Sequence, residues 1–165
     1  MEKSKIMDTK VIYETETFKV GVPAHPHVSR EEGGHVWIMG KEHFNERYEL
    51  SPKQATEVMR LTMLIGEAVI KGMKNRGIEI GRINFQDNGN WAYLKGLEPT
   101  FHIHLYGRTK DSTVQTWGEA LNFPNPDTDF YDNMIPFDDE DIKEIQKAIK
   151  ELEKEDKYKC ENWGL

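Results

Sequence analysis

The stretch Thr100-Phe101-His102-Ile103-His104-Leu105-Tyr106-Gly107-Arg108 constrains this chain's fold most. Its strand-forming Phe, Ile, Leu and Tyr and its alternation in character read as a β-strand. Period two puts His102 and His104 on one face and Phe101, Ile103 and Leu105 on the other. The apolar face needs a core to cover it. The histidine face is costly to bury unless its imidazoles are bonded or used, and the plain alternative is a half-exposed strand whose polar face happens to be histidine.

The rest of the chain supplies partners for this strand. Val11–Thr15 and Phe18–Val22 read as strands paired across Glu16-Thr17, or as one bent ribbon. An irregular loop with Pro23, Pro26, Gly33 and Gly34 leads to a central strand, His35–Met39. Ser51, Pro52 and Gln54 form a capping box with proline at the first helical position, and Gly77 suits a left-handed cap. Between them Val58, Leu61, Leu64 or Ile65, Ala68 and Met73 recur at helical spacing, predicting one helix over 52–76 with methionines as core filler. Ile78–Phe85 alternates as a strand, and a turn-rich segment from Gln86 returns the chain to the histidine strand as its antiparallel neighbour. That geometry brings Gln86 toward the His102 side of the pair. Residues 109–137 are irregular, rich in aromatics and prolines, and read as a covering flap. A last helix is expected over about 138–154, with Ile142, Ile145, Ile149 and Leu152 on one stripe, and Trp163 is expected to dock. The sum is an α+β fold: an antiparallel sheet of about five strands, one long helix and a C-terminal helix. One domain over 1–165 is expected, its core at about 10–108 and the flap and last helix at 109–165.

Charge and cysteine count narrow the function classes. A net charge of -7 argues against a nucleic-acid polymer as partner, while small nucleotides need only a few local donors. Cys160 is the single cysteine, so no internal disulfide forms and nothing points to an oxidising compartment. No apolar run reaches the roughly 18 residues of a membrane span, and Met1–Lys5 lacks a signal-peptide core, so a cytoplasmic location without membrane contact is expected.

The order of elements and four motifs together resemble the histidine triad family over roughly residues 10–108. The His strand is similar to the family's His-φ-His-φ-His-φ-φ signature (φ apolar), with Thr100 in place of the first histidine. Gly34-His35-Val36-Trp37-Ile38 resembles the family's Gly-His strand, Asn84-Phe85-Gln86-Asp87 its phosphate-contacting strand end in dinucleoside polyphosphate hydrolases, and Leu50-Ser51-Pro52 its helix start. The resemblance implies a histidine-triad-like fold and a homodimer. It implies a nucleotide hydrolase or transferase that cleaves at the α-phosphate, on dinucleoside polyphosphates such as diadenosine tetraphosphate, through a nucleotidyl-histidine intermediate and with no cofactor. In that scheme His102 is the nucleophile, His104 and Gln86 bind phosphate, and His35 and Asn84 support them. The family orients the nucleophile through the main-chain carbonyl at the first triad position, a role Thr100 can keep. Leu97 stands where relatives place a hydroxyl, and the segment from Gln86 to His102 is longer than usual. The alternatives are a purine nucleotide-binding protein with little catalysis and a nucleoside phosphoramidate hydrolase.

Other features read more plainly. His25-Pro26-His27-Val28-Ser29 resembles the His-Pro-His-x-Gln motif of the nucleotidyltransferase branch, but it lies in a loop and lacks the Gln, which makes the match a coincidence. The pairs His25/His27 and His102/His104 fix no third metal ligand at a recognised spacing, so no metal is expected. His43 reads as a solvated turn residue, and Asp138–Asp141 as an acidic helix start rather than a cation site.

Overall fold

The computed structural model of the protein describes residues 9–87 and 89–165; the readings of Met1–Lys5 and of Asn88 in the turn after Gln86 lie outside them. Its elements run β1 (Thr9–Glu14), β2 (Phe18–Pro23), β3 (His35–Gly40), α1 (Pro52–Asn75), β4 (Ile80–Gln86), α2 (Asn90–Leu94), β5 (His102–Thr109) and α3 (Asp139–Leu152). The five strands form one antiparallel sheet in the order β1-β2-β3-β5-β4. The expected α+β architecture is what the structure shows. One α-helix was not foreseen: the segment after Gln86 contains the short helix α2, too brief to carry a readable helical period.

Local chemistry sets the boundaries of α1. The Ser51 hydroxyl accepts the Gln54 amide, and the Gln54 side chain accepts the Ser51 amide in return. Gly77 takes a φ of 79° just past the helix end, a conformation costly for any residue with a Cβ. One face of α1, with Leu61, Leu64, Ile65 and Ala68, joins Val20, Val36, Ile38, Phe101, Ile103 and Leu105 of the sheet in a single apolar cluster. The apolar half of the histidine strand is therefore core, as its alternation requires.

Helix α3 packs across α1 and reaches β1. A Cβ on Gly72 would lie 2.8 Å from the Ile145 main chain, so α1 and α3 come together at a point where no side chain fits. Asp138 caps α3 and shares a capping box with Asp141, so the acidic run is a helix start as read. Arg30 and Arg76 close on the Asp141 carboxylate. The tail ends in a short turn of helix, where the Trp163 indole donates to the Lys157 carbonyl. Among the described residues no helix is long and apolar enough to cross a membrane.

Candidate active site

The opposite face of the sheet carries the polar residues. In the β3–β5 ladder His35 lies opposite Tyr106, Trp37 opposite His104 and Met39 opposite His102. In the β4–β5 ladder Asn84 lies opposite Tyr106 and Gln86 opposite His104. Directly opposed residues share a face, so His35, Asn84, Gln86, His102, His104 and Tyr106 stand together on the face that α1 leaves open. Gln86, the last residue of β4, pairs with His104 at the end of the ladder that leads to His102. These side chains, apart from Asn84 and Tyr106, line a cleft of about 630 Å³, together with Thr100, Trp91 and Phe123. The side-chain oxygen of Asn84 is buried with no hydrogen-bond partner among the described residues.

Hydrogen-bond polarity fixes the protons on three of these rings. His102 Nδ1 lies 2.6 Å from the Thr100 carbonyl oxygen, which can only accept, so Nδ1 carries the proton and Nε2 of the neutral ring keeps its lone pair. The Thr100 side chain is not needed for this bond. Its hydroxyl instead meets His43 Nδ1 at 3.3 Å, while His43 itself is exposed and bonded to Asn45, the turn residue it was read to be.

A second chain of bonds starts in the loop before β3. The His27 main-chain N–H donates to His35 Nδ1 at 3.2 Å, which leaves the His35 proton on Nε2. That proton is donated to His104 Nδ1 at 2.8 Å, so His104 offers Nε2–H as its one donor. Both rings are buried, and burial followed by the charge of neighbouring imidazoles holds their pKa values well below the ordinary histidine range. They stay neutral at pH 7.

His27 and Tyr106 enlarge the site beyond what the sequence indicated. His27 Nδ1 lies 2.8 Å from the Tyr106 hydroxyl, and its ring centroid is 4.7 Å from that of His35 and 5.4 Å from that of His104. Burial, with the charge of His102, lowers its pKa to about 4. The His-Pro-His segment still lies on a loop, so its likeness to the transferase motif remains incidental. Its second histidine nonetheless belongs to this cluster, and the histidines that come together are 27, 35 and 104 rather than the sequence pairs. Their ring nitrogens lie within 4.8 Å of one another, close enough to consider a metal ion. The bond polarity does not fit one: His35 Nδ1 already accepts a main-chain N–H, so its Nε2 must hold a proton and cannot be a neutral metal ligand.

The loop and the flap are held to the sheet by specific bonds. Gly33 and Gly107 touch backbone to backbone; a Cβ on Gly107 would collide with the Gly33 carbonyl oxygen. The Glu32 carboxylate accepts the Ser112 hydroxyl at 2.6 Å and the amides of Thr113, Val114 and Gln115. Burial alone would raise the pKa of Glu32, but these bonds bring it down to about 2. Buried Arg108 donates to the carbonyls of Gln115, Thr116 and Glu119, and the Gln115 amide grips the main chain of Asn122 from both sides. The flap is therefore an ordered wall. It sets Phe123 at 4.7 Å from the Tyr106 ring and Tyr131 at 5.4 Å from the His27 ring.

No family model matches the chain, and no curated protein does. Solved structures do. A histidine triad protein from Bradyrhizobium japonicum superposes with a TM-score of 0.62 at 16% identity, covering 92% of this chain and 96% of that one. One from Marinobacter aquaeolei gives 0.59 at 16% identity, over 89% and 90% of the two chains. A zinc-bound histidine triad family protein from Mycobacterium smegmatis gives 0.56 at 18%, over 90% and 91%. Strand order, the helix on one face and the histidines on the other thus come together in a chain that has the histidine triad fold.

Proposed function

We propose that the protein is a histidine triad nucleotide hydrolase or transferase with His102 as nucleophile, acting on dinucleoside polyphosphates. The observation that carries this reading is the 2.6 Å bond from His102 Nδ1 to the Thr100 carbonyl, which presents an unprotonated Nε2 from a ring that lines an open cleft. In the proposed reaction His102 Nε2 attacks an α-phosphorus. The phosphorus–nitrogen bond forms as the bond to the bridging oxygen breaks, and water later releases the nucleotide from the histidine. His104 Nε2–H and the Gln86 amide donate to phosphate oxygens, where hydrogen bonds to an anion are stronger than neutral ones. Asn84 and His35 support them from the same face.

The protonation of His104 favours a phosphate leaving group over an amine. A buried neutral imidazole whose Nδ1 is occupied by His35 can donate a hydrogen bond but has no second proton to give. A departing phosphate leaves as an anion and needs none, whereas an amine leaving a phosphoramidate must be protonated. Purified protein should therefore convert diadenosine tetraphosphate to AMP and ATP faster than it cleaves an adenosine phosphoramidate. In heavy-oxygen water the label should enter AMP. Label in ATP contradicts attack at the α-phosphorus, and tight AMP binding without turnover points to the nucleotide-binding alternative.

We also propose a homodimer. Edge strand β4 has no sixth strand beside it among the described residues, and Phe85 on it is 50% exposed. The Phe85 ring lies against Gly66 of α1, on the helix face that also carries Met59 and Met63, which are 56% and 37% exposed. Apolar side chains gathered this way mark an interaction surface. Sedimentation equilibrium should give twice the chain mass, and a Met59→Glu, Phe85→Glu double variant should give the chain mass alone; a monomeric wild type contradicts the dimer.

A further inference from the structure

The helix α2 carries chemistry that the attack by His102 does not use. It lies in the lengthened segment between β4 and β5; Trp91 and Ala92 on the helix and Lys95 at its C-terminal cap all line the cleft. Trp91 and Lys95 are one helical turn apart and so share a face, while Tyr93 and Leu94 point away, 67% and 65% exposed. Trp91 is half-buried, 5.1 Å from the His27 ring and 5.8 Å from Tyr131. Lys95 is the one lysine or arginine among the described cleft residues, and it takes part in no ion pair among the described residues. Glu98 adds a carboxylate to the same rim, and the whole chain carries -7, so a polyanion entering here meets an unfavourable field apart from this ammonium. Pro23, Ala24, Trp37 and Met39 add apolar lining to the cleft, with Trp37 and Met39 on the β3 side of the histidine strand, away from β4.

We propose that α2 is a leaving-group subsite, in which Trp91 stacks on the base and Lys95 pairs with the phosphate chain of the departing nucleoside polyphosphate. Phe123 of the flap, also on the cleft wall, completes the aromatic surface. This inference rests on the proposed adenylyl transfer to His102. In that step the phosphorus–nitrogen bond forms, the bond to the bridging oxygen breaks, and the electron pair stays on the departing phosphate, whose added negative charge Lys95 meets. An aromatic ring and a cation one turn apart match the two ends of a nucleotide, base stacking supplying sequence-tolerant affinity and the ammonium a salt-dependent contact.

The test compares two substrates that deliver the same adenylyl group. Diadenosine tetraphosphate departs as a nucleotide; adenosine phosphorofluoridate departs as fluoride, with neither ring nor phosphate chain. Trp91→Leu and Lys95→Gln are each expected to lower kcat/KM for the tetraphosphate at least fivefold and to change the fluoridate reaction less than twofold. Lys95→Gln should also flatten the dependence of KM on salt. Equal losses on both substrates, or no loss on the tetraphosphate, overturn the subsite while the histidine chemistry stands. So does a wild-type protein that cleaves the fluoridate alone. A wild-type protein that cleaves neither overturns the hydrolase reading and the subsite together.

Discussion

His102→Asn is expected to lower nucleotide release by roughly a thousandfold or more, the scale seen when a covalent nucleophile is removed. That corresponds to about 4 kcal/mol of lost transition-state stabilisation. Asparagine suits the test because its amide can still donate to the Thr100 carbonyl, the bond that holds the native ring at 2.6 Å. The site keeps its shape and loses only the nitrogen lone pair. Thr100→Ala makes the complementary point. It removes the 3.3 Å contact between the hydroxyl and His43 but leaves the carbonyl in place, so its loss should stay within about tenfold. Single-turnover release of ATP from diadenosine tetraphosphate reads both variants. Near-normal release by His102→Asn, or a collapse in Thr100→Ala as deep as in His102→Asn, contradicts the assignment of the nucleophile and its orienting group.

Thr100 also shows how far the sequence carries. The resemblance implies that the main-chain carbonyl at the first triad position orients the nucleophile, and the bond to His102 is made by the Thr100 main chain, which any residue there can supply. The histidine strand, the capping box at Ser51 and the stripe on α3 were legible because each is governed by neighbours within a few residues. Tyr106 left a usable signal: it follows His104 by two positions and so shares its face, opposite His35. His27 left none. It sits in a proline-bounded loop and reaches the cluster only because Gly33 crosses Gly107 and the loop lies down on β5. The flap is similar, since its order depends on Glu32, whose carboxylate meets the Ser112 hydroxyl across 80 residues of chain. Long-range bonds of this kind have no local period to read.

The largest effect on stability is expected at Asp141, whose carboxylate ties three parts of the chain together. Arg30 reaches it from the loop through Nε at 2.6 Å and Nη2 at 2.8 Å, Arg76 from the end of α1 at 2.9 Å, and the Asp138 amide from the start of α3 at 3.0 Å. Its side chain is fully buried. Replacing such a pair with apolar groups can be harmless, but removing one partner strands the others. Asp141→Ala takes from Arg30 and Arg76 the buried carboxylate they share and leaves them only the half-exposed Asp138 to share, and urea unfolding should show a loss of about 3 kcal/mol. A loss under about 1 kcal/mol contradicts a network in which the three parts depend on this carboxylate. The pH dependence has a definite sign. Burial acts to raise the pKa of Asp141, but the bonds from Arg30 and Arg76 outweigh it and hold the value below the ordinary 3.8. A depressed carboxyl stabilises the native state above its unfolded pKa, and this contribution is lost as pH falls through the native value. Wild type should therefore lose stability below about pH 4 more steeply than Asp141→Asn, which has no carboxyl to protonate. Arg30 follows His27 by three residues, so loosening it also slackens the amide that fixes the His35 proton. Asp141→Asn should accordingly lower turnover as well as stability, although Asp141 lies among the helix ends rather than on the wall of the cleft.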